Sequence, residues 1–182
     1  MAKIITSYCA SVRHLPKTNV HRQHHDTEHG RTPKNDDDLF RRLMLEISQA
    51  GLSFETVLKK KKSIYEAFAT IEKVARYTKK DIKQLMKNPG IIRNRLKIES
   101  AIFNAQKIKE IQKEHKTFLN WLRKQDLHTR EEWTKVFKKT FKFTGGEIVN
   151  EFLMSINILP GAHEKYCVFL RKEEKDSSVS LR

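Results

Sequence analysis

Cysteine and long apolar stretches are scarce in this 182-residue sequence, which contains only two Cys. Two cysteines cannot form the dense disulfide framework of a small secreted domain, so free thiols or metal ligands are the favoured interpretation. No apolar run reaches the ~18 residues that a membrane-spanning helix needs. The first ten residues, MAKIITSYCA, are too short and too polar for a signal peptide. The sequence therefore predicts an intracellular protein with no membrane partner.

Alternating strand patterns and internal repeats are also missing, whereas helical periodicity is strong. Leu39, Leu43 and Ile47, for example, fall on one face of a helix that begins in the acidic stretch DDD. We therefore predict an all-α fold. Residues 1–35 give no clear element, and residues 171–182 are predicted to be disordered. Capping-box spacings at Ser63 and Thr129 each predict a helix start.

Acidic residues are outnumbered, since 22 Asp and Glu face 37 Lys and Arg, for a formal net charge of +15. A surplus of this size favours a polyanionic partner, with nucleic acid first. The alternative is a basic protein whose lysine-rich surface is merely solvated. The apolar fraction of 38% is enough to bury the core of one medium domain or two small lobes.

The segment LMKNPGIIRNRLKI has the pattern of a helix, a glycine-containing turn and a second helix. Gly90 can take a backbone conformation closed to other residues and lets the backbone approach a ligand. The first N–H groups of the second helix would face a phosphate, with Arg93 and Arg95 beside them. The alternative is an ordinary tight connection between two helices.

Glu46 shares the apolar helix face with Leu39 and Leu43. A buried carboxylate is costly unless something pairs with it, so Glu46 is a candidate site residue. The alternative is a glutamate at the edge of the face that reaches water.

Histidine and cysteine are concentrated in the segment HHDTEHG and in HEKYC. His163 and Cys167 are four residues apart and would point the same way on a helix. Cys9 and the histidines at positions 24 and 25 could complete a Cys2His2 tetrahedron around a metal. The alternative is two unrelated thiols and a histidine-rich loop.

Five segments of the chain resemble, in order, blocks of the 3-methyladenine DNA glycosylase I (TAG) family: HHDTEHG, LFRRLMLEISQAGLSFETVLKKK, GIIRNRLKIESAIFNAQ, FKFTGG and HEKYC. The resemblance implies a helix-hairpin-helix fold that hydrolyses the N-glycosidic bond of N3-methyladenine in alkylated double-stranded DNA. It also implies a structural Zn²⁺ that ties the terminal segments together. Block matching places its ligands at Cys9, His25, His163 and Cys167. Four protein ligands leave no open position, so this zinc is not expected to be the catalyst.

The resemblance also implies the domain organisation. A zinc-tied helical lobe is expected to comprise residues 1–35 and 107–170, and a helix-hairpin-helix lobe residues 36–106. A monomer is expected.

By the same resemblance, Glu46 is the catalytic, base-contacting residue. A buried carboxylate favours a cationic methylated purine over neutral adenine, and the base must leave the duplex to reach it. His24, His29 and Phe54 would form the rest of the base pocket. Gly51 would lie against the backbone of the damaged nucleotide, with Leu52 as a wedge. The remaining DNA contacts are expected from the hairpin, at Gly90, Ile91, Ile92, Arg93 and Arg95.

The chain departs from the family pattern at several aromatic positions. His24, His29 and Phe54 replace Tyr, Trp and Trp, and no Trp follows Cys9. Like the family it resembles, the chain lacks the aspartate that many other helix-hairpin-helix glycosylases carry after the hairpin. Two alternatives to an active glycosylase therefore stay open: a catalytically weak or inactive DNA-binding protein of this fold, and a helical zinc protein that acts through protein partners.

Overall fold

Residues 7–167 are described by a computed structural model, and within them the regular structure is entirely helical. The helices are α1 Tyr8–Val12, α2 Val20–Thr27, α3 Asp36–Gln49, α4 Phe54–Lys59, α5 Lys61–Ala67, α6 Ile71–Ala75, α7 Lys79–Leu85, α8 Arg95–His115, α9 Phe118–Arg123, α10 Arg130–Thr140 and α11 Gly146–Ser155. The all-α prediction is confirmed. No helix in this range is both long and apolar enough to cross a membrane. The disorder predicted for 171–182 lies outside the described residues.

Helix α3 is the central element of the core. Its Leu39, Phe40, Leu43 and Ile47 side chains are fully buried, and the helix packs against α5, α8, α9 and α11. Asn35 begins it by accepting a hydrogen bond from the Asp38 N–H. The three aspartates that follow lie at the positive end of the helix dipole, where their charge is stabilised. Helix α3 therefore has the buried apolar face and the acidic start that the sequence predicted.

Only one of the two predicted capping boxes is present. Thr129 and the Glu132 side chain cap each other's backbone at the start of α10, which confirms that prediction. The prediction at Ser63 is wrong, because α5 already begins at Lys61 and Ser63 lies inside it. The Ser63 side chain instead lies against Gly90.

The N-terminal segment contains two helices that the sequence did not indicate. Asn19 caps α2 through the His21 N–H. The guanidinium of Arg42 on α3 donates to the carbonyl oxygens of Glu28 and Arg31, at 3.1 and 2.6 Å. The end of α2 is therefore fastened to the core helix, and the His-rich segment is held in one place rather than forming a loose loop.

The hairpin between α7 and α8 has the predicted helix–turn–helix form. Gly90 is not in the left-handed region, contrary to the conformation expected for it. A Cβ atom at this position would instead lie 2.8 Å from the Cβ of Ser63. Glycine is therefore required by the close approach of α5, and not by its own backbone conformation.

Candidate active site

A cavity of about 370 Å³ opens beside the C-terminal half of α3. It is lined by Ser7, Tyr8, His29, Glu46, Gln49, Phe54, Glu151, Met154 and Gly161. A second cavity of about 330 Å³ shares Glu46, Gln49 and Glu151 with it and extends to Gly51 and Leu52. Both volumes fall within the ~300–1,000 Å³ that is usual for small-molecule sites. The two cavities together lead from a surface loop to a buried carboxyl group.

Glu46 is the buried acid of this site. Its residue is 5% exposed, so the alternative of an edge glutamate that reaches water is excluded. Burial raises the pKa of its carboxyl group to about 8, and the nearby carboxylates of Glu151 and Glu28 add to the shift. Within residues 7–167 it has no hydrogen-bond or salt-bridge partner. A buried, unpaired acid beside a cavity is costly to keep, which makes Glu46 a candidate ligand-binding group.

Aromatic rings form one wall of the cavity. Phe54, the first residue of α4, and His29, just after α2, both line it. Tyr8 lies between them, with its ring centroid 5.1 Å from that of His29 and 6.4 Å from that of Phe54. Sequence reasoning missed Tyr8, because it precedes the first cysteine, whereas the family pattern has its aromatic residue after it.

His24 does not belong to the cavity wall, contrary to its predicted role as a base contact. It is buried on α2 behind Phe54, with the two rings edge to face at 5.2 Å. Its Nδ1 faces the Glu28 carboxylate and the Lys61 ammonium group, each at 3.4 Å. His24 and His25 point in different directions from this helix. The His24 ring therefore packs against Phe54 and does not line the cavity.

The loop that follows α3 brings Gly51 and Leu52 to the outer rim of the second cavity. Gly51 has φ +78°, a left-handed conformation that favours glycine. Leu52 is 43% exposed despite its apolar side chain. The ammonium group of Lys97 on α8 holds this loop by donating to the carbonyl oxygens of Ser48 and Ala50. The structure thus presents an exposed apolar side chain on a loop that is fixed at its start.

The predicted hairpin contacts divide into buried and exposed residues. Ile91 is 3% exposed and belongs to the core, Ile92 is half-buried, and Arg93 and Arg95 are exposed. The Gly90 N–H already donates to the Asn88 side chain at 2.8 Å. Arg95 pairs with Glu99 at 2.8 Å. The exposed arginines lie at the start of α8, where an anion would meet the positive end of the helix.

The structure brings Cys9, His25, His163 and Cys167 together, with their ligand atoms all within 4.8 Å of one another. Cys9 Sγ lies 3.3 Å from His25 Nε2 and 3.5 Å from His163 Nδ1. Ligand atoms on one tetrahedral zinc are ~3.3–3.8 Å apart, given bonds of ~2.3 Å to sulfur and ~2.0 Å to nitrogen. The donor set therefore fits a metal ion, and both distances from Cys9 Sγ fall in this range.

The other ring nitrogens of the two histidines have partners of their own. His25 Nδ1 lies 2.9 Å from the Asp26 carboxylate, and His163 Nε2 lies 2.9 Å from the His29 carbonyl oxygen. Such contacts fix which nitrogen is offered to a metal. His163 and Cys167 lie in a turn rather than on the predicted helix, closed by the Cys167 N–H donating to the Glu164 carbonyl oxygen.

The site thus combines a buried acid in an aromatic-walled cavity with an exposed hairpin, on a strongly basic chain. Comparison with known proteins specifies the family. The Methyladenine glycosylase family matches residues 15–144. The chain belongs to this family.

Two curated relatives match part of the chain. The DNA-3-methyladenine glycosylase of Haemophilus influenzae is 42% identical over 89 residues, which are 48% of each protein. DNA-3-methyladenine glycosylase 1 of Escherichia coli is 35% identical over 101 residues, which are 54% of each. The matched segments thus span about half the length of these relatives.

Solved structures extend the similarity to most of the fold. A structure on 3-methyladenine recognition by 3-methyladenine DNA glycosylase I from Staphylococcus aureus superposes with a TM-score of 0.74 at 31% identity, covering 85% of this chain and 93% of that one. A solution structure of a 3-methyladenine DNA glycosylase I gives 0.67 at 27% identity, covering 82% and 89%.

Proposed function

We propose that this protein is a DNA glycosylase that hydrolyses the N-glycosidic bond of N3-methyladenine in alkylated double-stranded DNA. The observation that supports this most strongly is Glu46, a 5% exposed acid with no partner within the described chain, at the inner end of an aromatic-walled cavity. The family membership and the named relatives support the same activity.

Glu46 would select the methylated base by charge. Methylation at N3 gives the purine a fixed positive charge, and a buried carboxylate attracts such a cation far more strongly than it would neutral adenine. With its pKa at about 8, Glu46 holds a proton at neutral pH in the open cavity. Arrival of the cation would lower that pKa and release the proton. The Glu46 carboxyl group alone then discriminates the methylated base from adenine. Phe54 and Tyr8 supply ring surfaces for stacking and cation–π contact.

The reaction needs little acid–base machinery for the leaving group, because a cationic purine departs as a neutral molecule. The protein must extrude the nucleotide, hold it and place a nucleophilic water. Leu52 is suited to fill the gap in the base stack, and Gly51 lets the sugar–phosphate backbone approach the loop. Arg93 and Arg95 would bind phosphate beside the hairpin. We retain a monomer as the working state.

We further propose that the four-residue cluster binds a structural Zn²⁺. Cys9 and His25 come from the N-terminal segment and His163 and Cys167 from the C-terminal one, so the ion would cross-link the two. The Asp26 carboxylate and the His29 carbonyl oxygen would orient the histidine rings. All four positions would be filled by protein, so no water is available on the metal for hydrolysis.

A base-release assay tests the activity. Methylated duplex DNA would be incubated with wild type, Glu46→Gln and, as a matched control, Glu131→Gln, which removes the same charge from an exposed position on α10. Wild type and control should release free 3-methyladenine, identified by chromatography, and Glu46→Gln should lose at least about 100-fold in rate. Salt-dependent duplex binding by wild type without any base release would instead favour the non-catalytic DNA-binding protein.

A further inference from the structure

A second carboxyl group, that of Glu151, faces the same space as Glu46. The two acids line both adjoining cavities, together with Gln49. Glu151 lies on α11 and Glu46 near the end of α3, and these two helices pack against each other. The proposed base pocket therefore has an acid on each of two walls.

Within residues 7–167, no salt bridge neutralises Glu151. Its side chain has one hydrogen-bond contact, from Asn150 Nδ2 at 3.5 Å, which is the long limit for such a bond. The positive charge of Arg130 acts on the Glu151 carboxyl group, but its guanidinium is paired with the Glu147 carboxylate. The Glu151 carboxyl group is therefore available to a molecule in the cavity.

Glu151 lies nearer the opening than Glu46. Glu46 is 5% exposed, whereas Glu151 is half-buried. The cavity that Glu151 shares with Gly51 and Leu52 is the one that reaches the surface loop. A nucleotide that enters past this loop would place its base against Glu46, the deeper acid, and its sugar beside Glu151.

We propose that Glu151 is a further catalytic residue, which holds the hydrolytic water against C1′ of the damaged nucleotide and accepts its proton. This inference rests on the proposed glycosylase function. In the step, the water oxygen bonds to C1′ while the bond from C1′ to N9 breaks, and the electron pair of that bond goes to the purine. The base leaves as neutral N3-methyladenine. The proton of the water goes to the Glu151 carboxylate and from there to solvent.

The electrostatics of the two acids suit this division of roles. Burial raises the pKa of Glu151, with the Glu147 carboxylate adding to the shift, and a raised pKa makes a carboxylate a better proton acceptor near neutral pH. As the base leaves, positive charge moves from the purine to the sugar, so a carboxylate on the sugar side stabilises the transition state more than the ground state. Glu46, beside the base, stabilises the bound cation.

The test separates base binding from bond cleavage. Single-turnover release of 3-methyladenine from methylated duplex and binding of free 3-methyladenine, followed by NMR titration, would be measured for Glu151→Gln, Glu46→Gln and the control Glu131→Gln. We expect Glu151→Gln to lose roughly tenfold to 100-fold in rate, at the lower end for general-base catalysis because the leaving group is activated. Its affinity for the free base should stay within about twofold of wild type, whereas Glu46→Gln, which alters the carboxyl group proposed to contact the base directly, should weaken that affinity.

A second variant reports on the chemistry itself. Glu151→Ala leaves space for a small carboxylate, and added formate should restore part of the release rate in proportion to its concentration. A residue with a merely structural role would show no such rescue. Glu151→Asp keeps the acid and should therefore retain a pH-dependent rate. This variant serves as the comparison if Glu151→Gln proves poorly folded.

The outcomes distinguish this inference from the proposed function. If wild type releases no base at all, the glycosylase proposal fails. If wild type is active but Glu151→Gln matches the control, or loses base affinity in parallel with rate, or if formate does not rescue Glu151→Ala, then only the role of Glu151 is overturned.

Discussion

The ammonium group of Lys97 lies 2.6 Å from the carbonyl oxygen of Ala50 and 2.9 Å from that of Ser48. Lys97 belongs to α8, the helix that follows the hairpin, and Ala50 ends α3 just before the exposed Leu52. One side chain thus fixes the geometry between the surface proposed to bind phosphate and the loop proposed to enter the base stack. It also satisfies carbonyl groups that the end of α3 leaves without an intrahelical partner.

Replacing Lys97 with Met should therefore loosen the loop. We expect Lys97→Met to lose about 2 kcal/mol of unfolding free energy, since two charge-assisted hydrogen bonds to the carbonyl oxygens of Ser48 and Ala50 are removed. Base release should fall more than duplex affinity, because the hairpin keeps its arginines. Thermal unfolding, single-turnover release and DNA titration would be compared with Lys139→Met, an exposed lysine on α10. Identical stability and activity of the two variants would refute a holding role for Lys97.

Gly90 provides a test of the packing beneath the hairpin. A Cβ there would lie 2.8 Å from both Cβ and Oγ of Ser63, and the Cβ of Ser63 cannot rotate away. Gly90→Ala should therefore cost ~1–3 kcal/mol of stability by overpacking and weaken DNA binding as the turn shifts. Gly145→Ala is the matched control, because nothing lies within 4 Å of its added Cβ.

A double-mutant cycle identifies the cause of that loss. Ser63→Gly removes the two atoms nearest to the new methyl group, so Gly90→Ala should cost clearly less in the Ser63→Gly background than in wild type. Additive effects would show that the contact with Ser63 is not the reason for glycine at this position.

The cysteine–histidine cluster predicts a metal-dependent fold. Purified protein should contain about one zinc per chain by elemental analysis, and Cys167→Ser should reduce that content and lower the melting temperature by ~5 °C or more. A strong chelator should lower the melting temperature of wild type but not that of the variant. His14→Ala, which removes an exposed histidine outside the cluster, should keep both zinc and stability. Wild type without bound metal and insensitive to chelator would contradict the zinc proposal.

The sequence was most informative where a long apolar periodicity and a helix-start signal predicted the same helix. Helix α3, with its buried face and acidic start, could be predicted together with the burial of Glu46. Helix α1 could not, since its five residues are too few to show a period and it is stabilised by contacts with α2. Ser63 shows the opposite error, in which a correct capping spacing occurred within a helix that had already begun.

Site residues brought together by tertiary structure were harder to predict. Tyr8 reaches the cavity only because α1 packs on α2, and Glu151 only because α11 packs on α3. His24 was assigned to the cavity by its place in the HHDTEHG block, but the direction of its side chain on α2 turns it toward Glu28. The cluster of cysteines and histidines came from the family resemblance, and the fold brings its two distant halves into contact.

Glu46 also predicts how stability depends on pH. Its pKa in the folded protein, about 8, lies above the ordinary value of 4.5. The folded state therefore binds the proton more tightly than the unfolded state does. The stability contributed by the protonated group is complete below pH 4.5 and is lost as pH rises through 8.

Glu46→Gln keeps the shape of the side chain but cannot ionise. The variant should therefore gain stability relative to wild type as pH rises across this window, by up to a few kcal/mol, since each tenfold change in proton affinity is worth ~1.4 kcal/mol. Chemical denaturation of both proteins from pH 5 to 9 measures this difference, and Glu131→Gln should show no such rise. A difference between Glu46→Gln and wild type that does not change with pH would mean that Glu46 ionises as it does in water, and the electrostatic basis for choosing a cationic base would be lost.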